Sequence, residues 1–117
     1  MGDSSFRDLK VWQRAIELSV AIYRMTGAFP REEMYGLTAQ LRRADVSIAS
    51  NIAEGYGRMS AKEYTYFLGI ARGSTLEVQT HLVIAKELGF ADEANLQRTE
   101  GLAHEVGKML WAMLNKL

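Results

Sequence analysis

An all-α chain folded as an antiparallel up-down-up-down four-helix bundle is predicted by three observations. Apolar residues recur at three-and-four spacing in four segments, no stretch alternates with the period of a strand, and the connections between segments are short. The first helix starts at Asp8, a residue suited to an N-cap, sets Leu9, Trp12, Ile16, Ser19 and Tyr23 on one face, and ends at Gly27. Pro30 is the only proline, so Phe29-Pro30 is the strong break before the second helix. That helix takes shape by Tyr35, runs Leu37, Leu41, Ala44, Ile48 and Ile52 along its seam, and stops at Gly55 and Gly57. Ser60-Ala61-Lys62-Glu63 has the capping-box form and opens the third helix, with seam Tyr64, Phe67, Ala71, Ser74, Val78, His81, Ala85 and Leu88 before Gly89. The fourth begins near Asp92 and carries Leu96, Thr99, Ala103, Val106, Leu110, Met113 and Leu117 in an unbroken coiled-coil-like run.

A chain of 117 residues is one domain, residues 1–117, with 1–7 expected as a flexible N-terminal segment. Its composition, 48% hydrophobic and 24% charged, is that of an ordinary globular protein, able to bury roughly two-thirds of its unfolded surface without staples. Cysteine is absent, which excludes disulfides, thiolate metal sites and cysteine nucleophiles. The first residues lack a secretory pattern, and no apolar stretch reaches bilayer length, so a cytoplasmic protein without a membrane partner is expected. Formal net charge is zero, and each half of the chain is nearly balanced. Nucleic-acid binding therefore has no support from bulk charge and would need a local cluster.

The last two helices carry more apolar side chains than one seam can use. Leu68, Ile70, Leu76, Leu82 and Ile84 on the third and Leu102, Trp111 and Leu114 on the fourth predict an exposed apolar face, hence self-association.

Polar residues in apolar-periodic helices need partners. Gln40, Ser47, Asn51 and Glu54 form a stripe on helix two, and Tyr66, Gly69, Gly73, Glu77 and Thr80 one on helix three. Gln40, Ser47, Asn51, Glu54 and Glu77 read first as a structural polar cluster that fixes helix register. Glycine in mid-helix costs about 1 kcal/mol, so Gly69 and Gly73 predict close packing by another backbone or a bulky side chain. Neither a phosphate-cradling loop nor a nucleophile elbow is present, and no catalytic residue or cofactor is expected. Two rival readings are a purely structural protein–protein scaffold and a metal-dependent bundle enzyme. Glu77 and His81 are one turn apart, as are Glu100 and His104, and an antiparallel hairpin sets the pairs level. Di-metal bundles, however, use Glu-x-x-His with extra carboxylates, so no metal is expected. Tyr56 and Arg58 beside glycines could stack on a base or grip a phosphate, and Arg42 and Arg43 add charge, which makes these four the candidate contacts for RNA or a protein partner.

Phe6-x-Asp8-Leu9-x-x-Trp12-x-x-Ala15, Phe29-Pro30, Tyr35-Gly36-Leu37, Gln40-x-Arg42-Arg43, Ser47-Ile48 and Ser50-Asn51-Ile52-Ala53-Glu54-Gly55 together resemble the family of four-helix-bundle proteins encoded in intervening sequences of bacterial 23S ribosomal RNA genes. Gly73-Ser74, Glu77, Ile84-Ala85 and Leu88-Gly89 extend the match along nearly the whole chain. Ala49 and Asp45 depart from it, where proline and a small apolar residue are usual. The resemblance implies a left-handed bundle, a homopentameric ring, and kinship with accessory proteins of diversity-generating retroelements that bind a reverse transcriptase and RNA. It implies no reaction.

Overall fold

The computed structural model describes residues 5–117. Four helices, α1 (Lys10–Thr26), α2 (Leu37–Tyr56), α3 (Ala61–Leu88) and α4 (Glu93–Leu114), account for most of them, with single 3-10 turns at Phe6–Asp8 and Arg31–Glu33. Helices adjacent in sequence pack on each other and α4 closes back on α1, giving an all-α bundle of 46 × 22 × 22 Å. The α1–α2 and α3–α4 loops meet at one end, where the Phe29 and Phe90 rings lie 5.6 Å apart. Neighbouring helices are therefore antiparallel.

Local chemistry sets the boundaries. Ser60 Oγ accepts the Glu63 N–H and starts α3. Asp92 Oδ1 accepts the Asn95 N–H at 2.9 Å and starts α4, and the same bonds hold the Asp92 carboxyl below its ordinary value. Gly89 takes φ +70°, letting its own N–H and that of Phe90 turn back onto the last carbonyls of α3.

The N-terminus differs from expectation. Asp8 does not cap α1, whose N-cap is Leu9. The Asp8 carboxylate instead accepts the Ser5 N–H while Ser5 Oγ accepts the Arg7 N–H, and Phe6 meets the Trp12 ring edge-on at 5.1 Å. Of the segment expected to be flexible, Ser5–Arg7 thus belongs to a capped turn, and residues 1–4 lie outside the described residues.

The core is built from Leu18 and Ile22 of α1, Leu41, Ile48 and Ile52 of α2, Leu68, Val78 and Leu82 of α3, and Val106 and Leu110 of α4, all fully buried. Burying each such side chain contributes about 1.5–3 kcal/mol. The expected seams of α2 and α4 are the observed ones as far as Ile52 and Leu110, and Leu117 is exposed. That of α1 is not: Val11, Ala15, Leu18, Ile22 and Met25 face inward, whereas Ile16 and Tyr23 are exposed. On α3, Leu68 and Leu82 are core residues, while Leu88 is exposed.

Gly55 explains how α2 and α3 approach each other. It is buried, and a Cβ there would stand 2.8 Å from Phe67 Cβ and 3.1 Å from Tyr64 Cδ1. The role expected of it, a helix stop, falls to Gly57, the C-cap of α2.

Candidate interaction surfaces

Arg42 is committed to structure. Its Nε donates to Thr26 Oγ1 at 2.9 Å, and its guanidinium lies 4.5 Å from the Tyr23 ring centroid, tying α2 to the end of α1. Arg43, one position on, is exposed. Arg58 pairs with Glu54 one turn back and sits over Phe67, 4.7 Å from the ring centroid, while Tyr56 meets Tyr64 edge-on at 6.3 Å. Tyr56 and Arg58 thus close the α2–α3 end as an aromatic and ion-paired cap. The four candidate contacts are not one patch: Arg42 and Arg43 lie well over two helical turns from Tyr56 along α2, and two of the three arginines are engaged within the chain.

The polar stripe of α2 divides in the same way. Asn51 Nδ2 donates to the Ser47 carbonyl at 2.8 Å and to Ser47 Oγ at 3.0 Å, and the Ser47 and Ser74 hydroxyls share a hydrogen bond at 2.9 Å across α2 and α3. Gln40, Glu54 and Glu77 are exposed and take no part in this cluster. Nothing among the described residues covers Gly69 or Gly73: a Cβ at either would meet no such atom within 4 Å.

The four residues of the metal-enzyme reading do not converge. His81 is buried with Nε2 3.8 Å from the exposed Glu77 carboxylate, and its Nδ1 has no hydrogen-bond partner among the described residues. His104 is exposed. No group of three or more metal-ligating side chains occurs among the described residues.

Two features escape sequence spacing. The flank of α1 beside α2 carries the half-buried Trp12 and the exposed Ile16, which with Val46, Ala49 and Ala53 of α2 line a groove of about 410 Å³. At this seam lies Asp45, fully buried, with Oδ1 accepting from Ser19 Oγ at 3.0 Å and Oδ2 lacking a partner among the described residues. Burial pushes this carboxyl up from 3.8 to about 6, against the lowering effect of Ser19. The second feature is the Arg72 guanidinium over Trp111, 4.9 Å from the ring centroid, joining α3 to α4.

No helix among the described residues is long and apolar enough to cross a membrane. No curated protein matches the chain. Among solved structures, a crystal structure of a protein of unknown function from the S23 ribosomal protein family of Bacteroides thetaiotaomicron superposes with a TM-score of 0.80 at 20% identity, covering 89% of this chain and 97% of that one. At that identity the likeness speaks for the fold alone. Residues 7–112 match the family described as 23S rRNA-intervening sequence protein, and the chain belongs to that family.

Proposed function

We propose that the protein is a non-catalytic, self-associating bundle that serves as an RNA-binding accessory. The observation that carries the self-association is the uncovered apolar groove of α1 and α2, where Ile16 and Val46 are left in solvent by the core packing beside a half-buried Trp12. Monomeric soluble proteins seldom leave such a surface unpaired. The fitting occupant is a second copy of this chain. On α3, Tyr66, Gly73, Thr80 and Ile84 share a helical face, all exposed, and the open backbone at Gly69 and Gly73 admits bulky side chains such as those lining the groove. Groove and ridge are different surfaces, so their contact is head-to-tail, the kind that forms a ring when the rotation between copies closes, and the expected pentamer is such a ring.

Light scattering tests this reading. The native chain should run as one assembly several times 13.1 kDa, and Ile16→Glu or Val46→Glu should release monomers of unchanged helix content. A native chain that stays monomeric at high concentration would overturn it. For RNA, affinity for a structured ribosomal fragment should fall with salt yet exceed that for random RNA. Absence of binding even at low salt would point to a protein partner instead.

A further inference from the structure

Arg72 and Trp111 stand in a groove on the α3–α4 side of the bundle, about 180 Å³ in volume, with Gln79, His104 and Lys108 also at its wall. Every ionisable residue in that wall is basic, and no carboxylate lines it. This is a local exception in a chain of zero net charge. His104, Lys108 and Trp111 follow one another at four and three residues, so they share one face of α4, and Arg72 reaches them from α3. Trp111 is 55% exposed, an uncommon state for so large an apolar ring, and the guanidinium covers part of it without closing it off. Arg72 has no ion pair with any described acidic residue, unlike Arg14 and Arg58.

A half-open indole with cations held around it is the arrangement by which proteins hold unpaired nucleotides: the base stacks on the ring and the backbone phosphate meets the cations. The groove is smaller than the roughly 300–1,000 Å³ typical of drug-sized ligands. It suits one flat base, not a larger molecule. A duplex keeps its bases stacked inside and cannot present one to Trp111. Arg72 lies on the α4 side of α3, away from the Gly73 and Ile84 face assigned to assembly, so both surfaces can be used at once.

We infer that the Arg72–Trp111 groove is a contact site for one unpaired nucleotide of single-stranded RNA, with Trp111 as the stacking platform and Arg72 and Lys108 as the phosphate contacts. This rests on the RNA-accessory reading and gives it a location. The test is a titration with a short single-stranded RNA of mixed sequence, following the part of the tryptophan emission that Trp111→Leu removes. Binding should quench that emission. Trp111→Leu should weaken affinity, read by a label on the RNA, tenfold or more, and Lys108→Glu should do the same and reduce the salt dependence. Both positions are exposed, and unchanged circular dichroism and assembly mass confirm that each variant is folded. Should both variants bind RNA as tightly as the native chain, the groove is overturned and the RNA-accessory reading stands. Should the native chain bind no RNA at low salt, both are overturned.

Discussion

Ser19 Oγ donates to Asp45 Oδ1 across the α1–α2 seam at 3.0 Å, and this is the only hydrogen bond to a fully buried carboxyl group among the described residues. No basic side chain in the described residues forms an ion pair with it. Its neighbours on α2, Arg42 and Arg43, are turned to Thr26 and Tyr23 and to solvent respectively. The fold therefore favours the protonated acid. With the folded-state value raised from 3.8 to about 6, the stabilising contribution is fully present below the unfolded value and is lost as pH rises through about 6. Urea unfolding should show stability falling by roughly 2 kcal/mol between about pH 4 and about pH 7 from this group. Asp45→Asn, which keeps an acceptor for Ser19, should remove that slope; an unaltered slope would place its origin elsewhere.

Glycines of α2 and α3 should respond to the same substitution with opposite sign. Gly55→Ala drives a Cβ to within 2.8 Å of Phe67 Cβ, and the strain should cost about 1–3 kcal/mol despite the better helix propensity. Gly73→Ala enters open space and should stabilise the isolated chain by up to about 1 kcal/mol. Thermal unfolding of both variants on an Ile16→Glu monomer separates these effects from assembly.

Arg42→Ala should lower stability by about 1–2 kcal/mol, because it removes both the bond to Thr26 Oγ1 and the stacking on Tyr23. Arg42→Lys should recover little, since an ammonium cannot reproduce the planar stack. Arg43→Ala should stay within about 0.5 kcal/mol of the native chain. Chemical denaturation checks all three, and equal effects at positions 42 and 43 would contradict the structural assignment of Arg42.

Asn51 and Ser74 both act on Ser47, from one turn away and from the opposite helix. Asn51→Leu and Ser74→Ala should each cost about 1 kcal/mol, and a double-mutant cycle should show a coupling of at least about 0.5 kcal/mol. Strict additivity would mean that the three groups are not one network.

How much of this was readable in the sequence differs from helix to helix. In α2 and α4 one face is clearly the more apolar, and the seam is found by spacing alone. In α1, Leu9, Trp12, Ile16 and Tyr23 compete with Val11, Ala15, Leu18, Ile22 and Met25 at the same period. The first set holds the larger rings, and the structure buries the second. Periodicity identifies that α1 has two apolar faces but not which one meets the core, because the choice depends on the three other helices. The candidate contacts show the complementary limit. Arg42-Arg43 looks like a basic pair until the packing of Tyr23 and Thr26 claims one member. Arg72 and Trp111 meet only through the pairing of α3 with α4, so no local motif announces them. Tyr64 and Phe67 were readable as seam residues, yet their demand for a bare backbone at position 55 was not.

The Phe29–Phe90 contact and the link between α2 and α3 make the two ends of the bundle unequal. At the first end both loops contribute an aromatic ring to one cluster. At the other, Gly57–Ser60 carries Met59 at 97% exposure, with no core side chain among them. A fusion partner, a biosensor domain or a new pair of chain termini could be spliced in beside Met59 at little loss, whereas the same graft at Phe29 or Phe90 would separate the two hairpins. The α2–α3 loop is thus where the molecule divides into two complementary helical hairpins, a property useful for a split reporter.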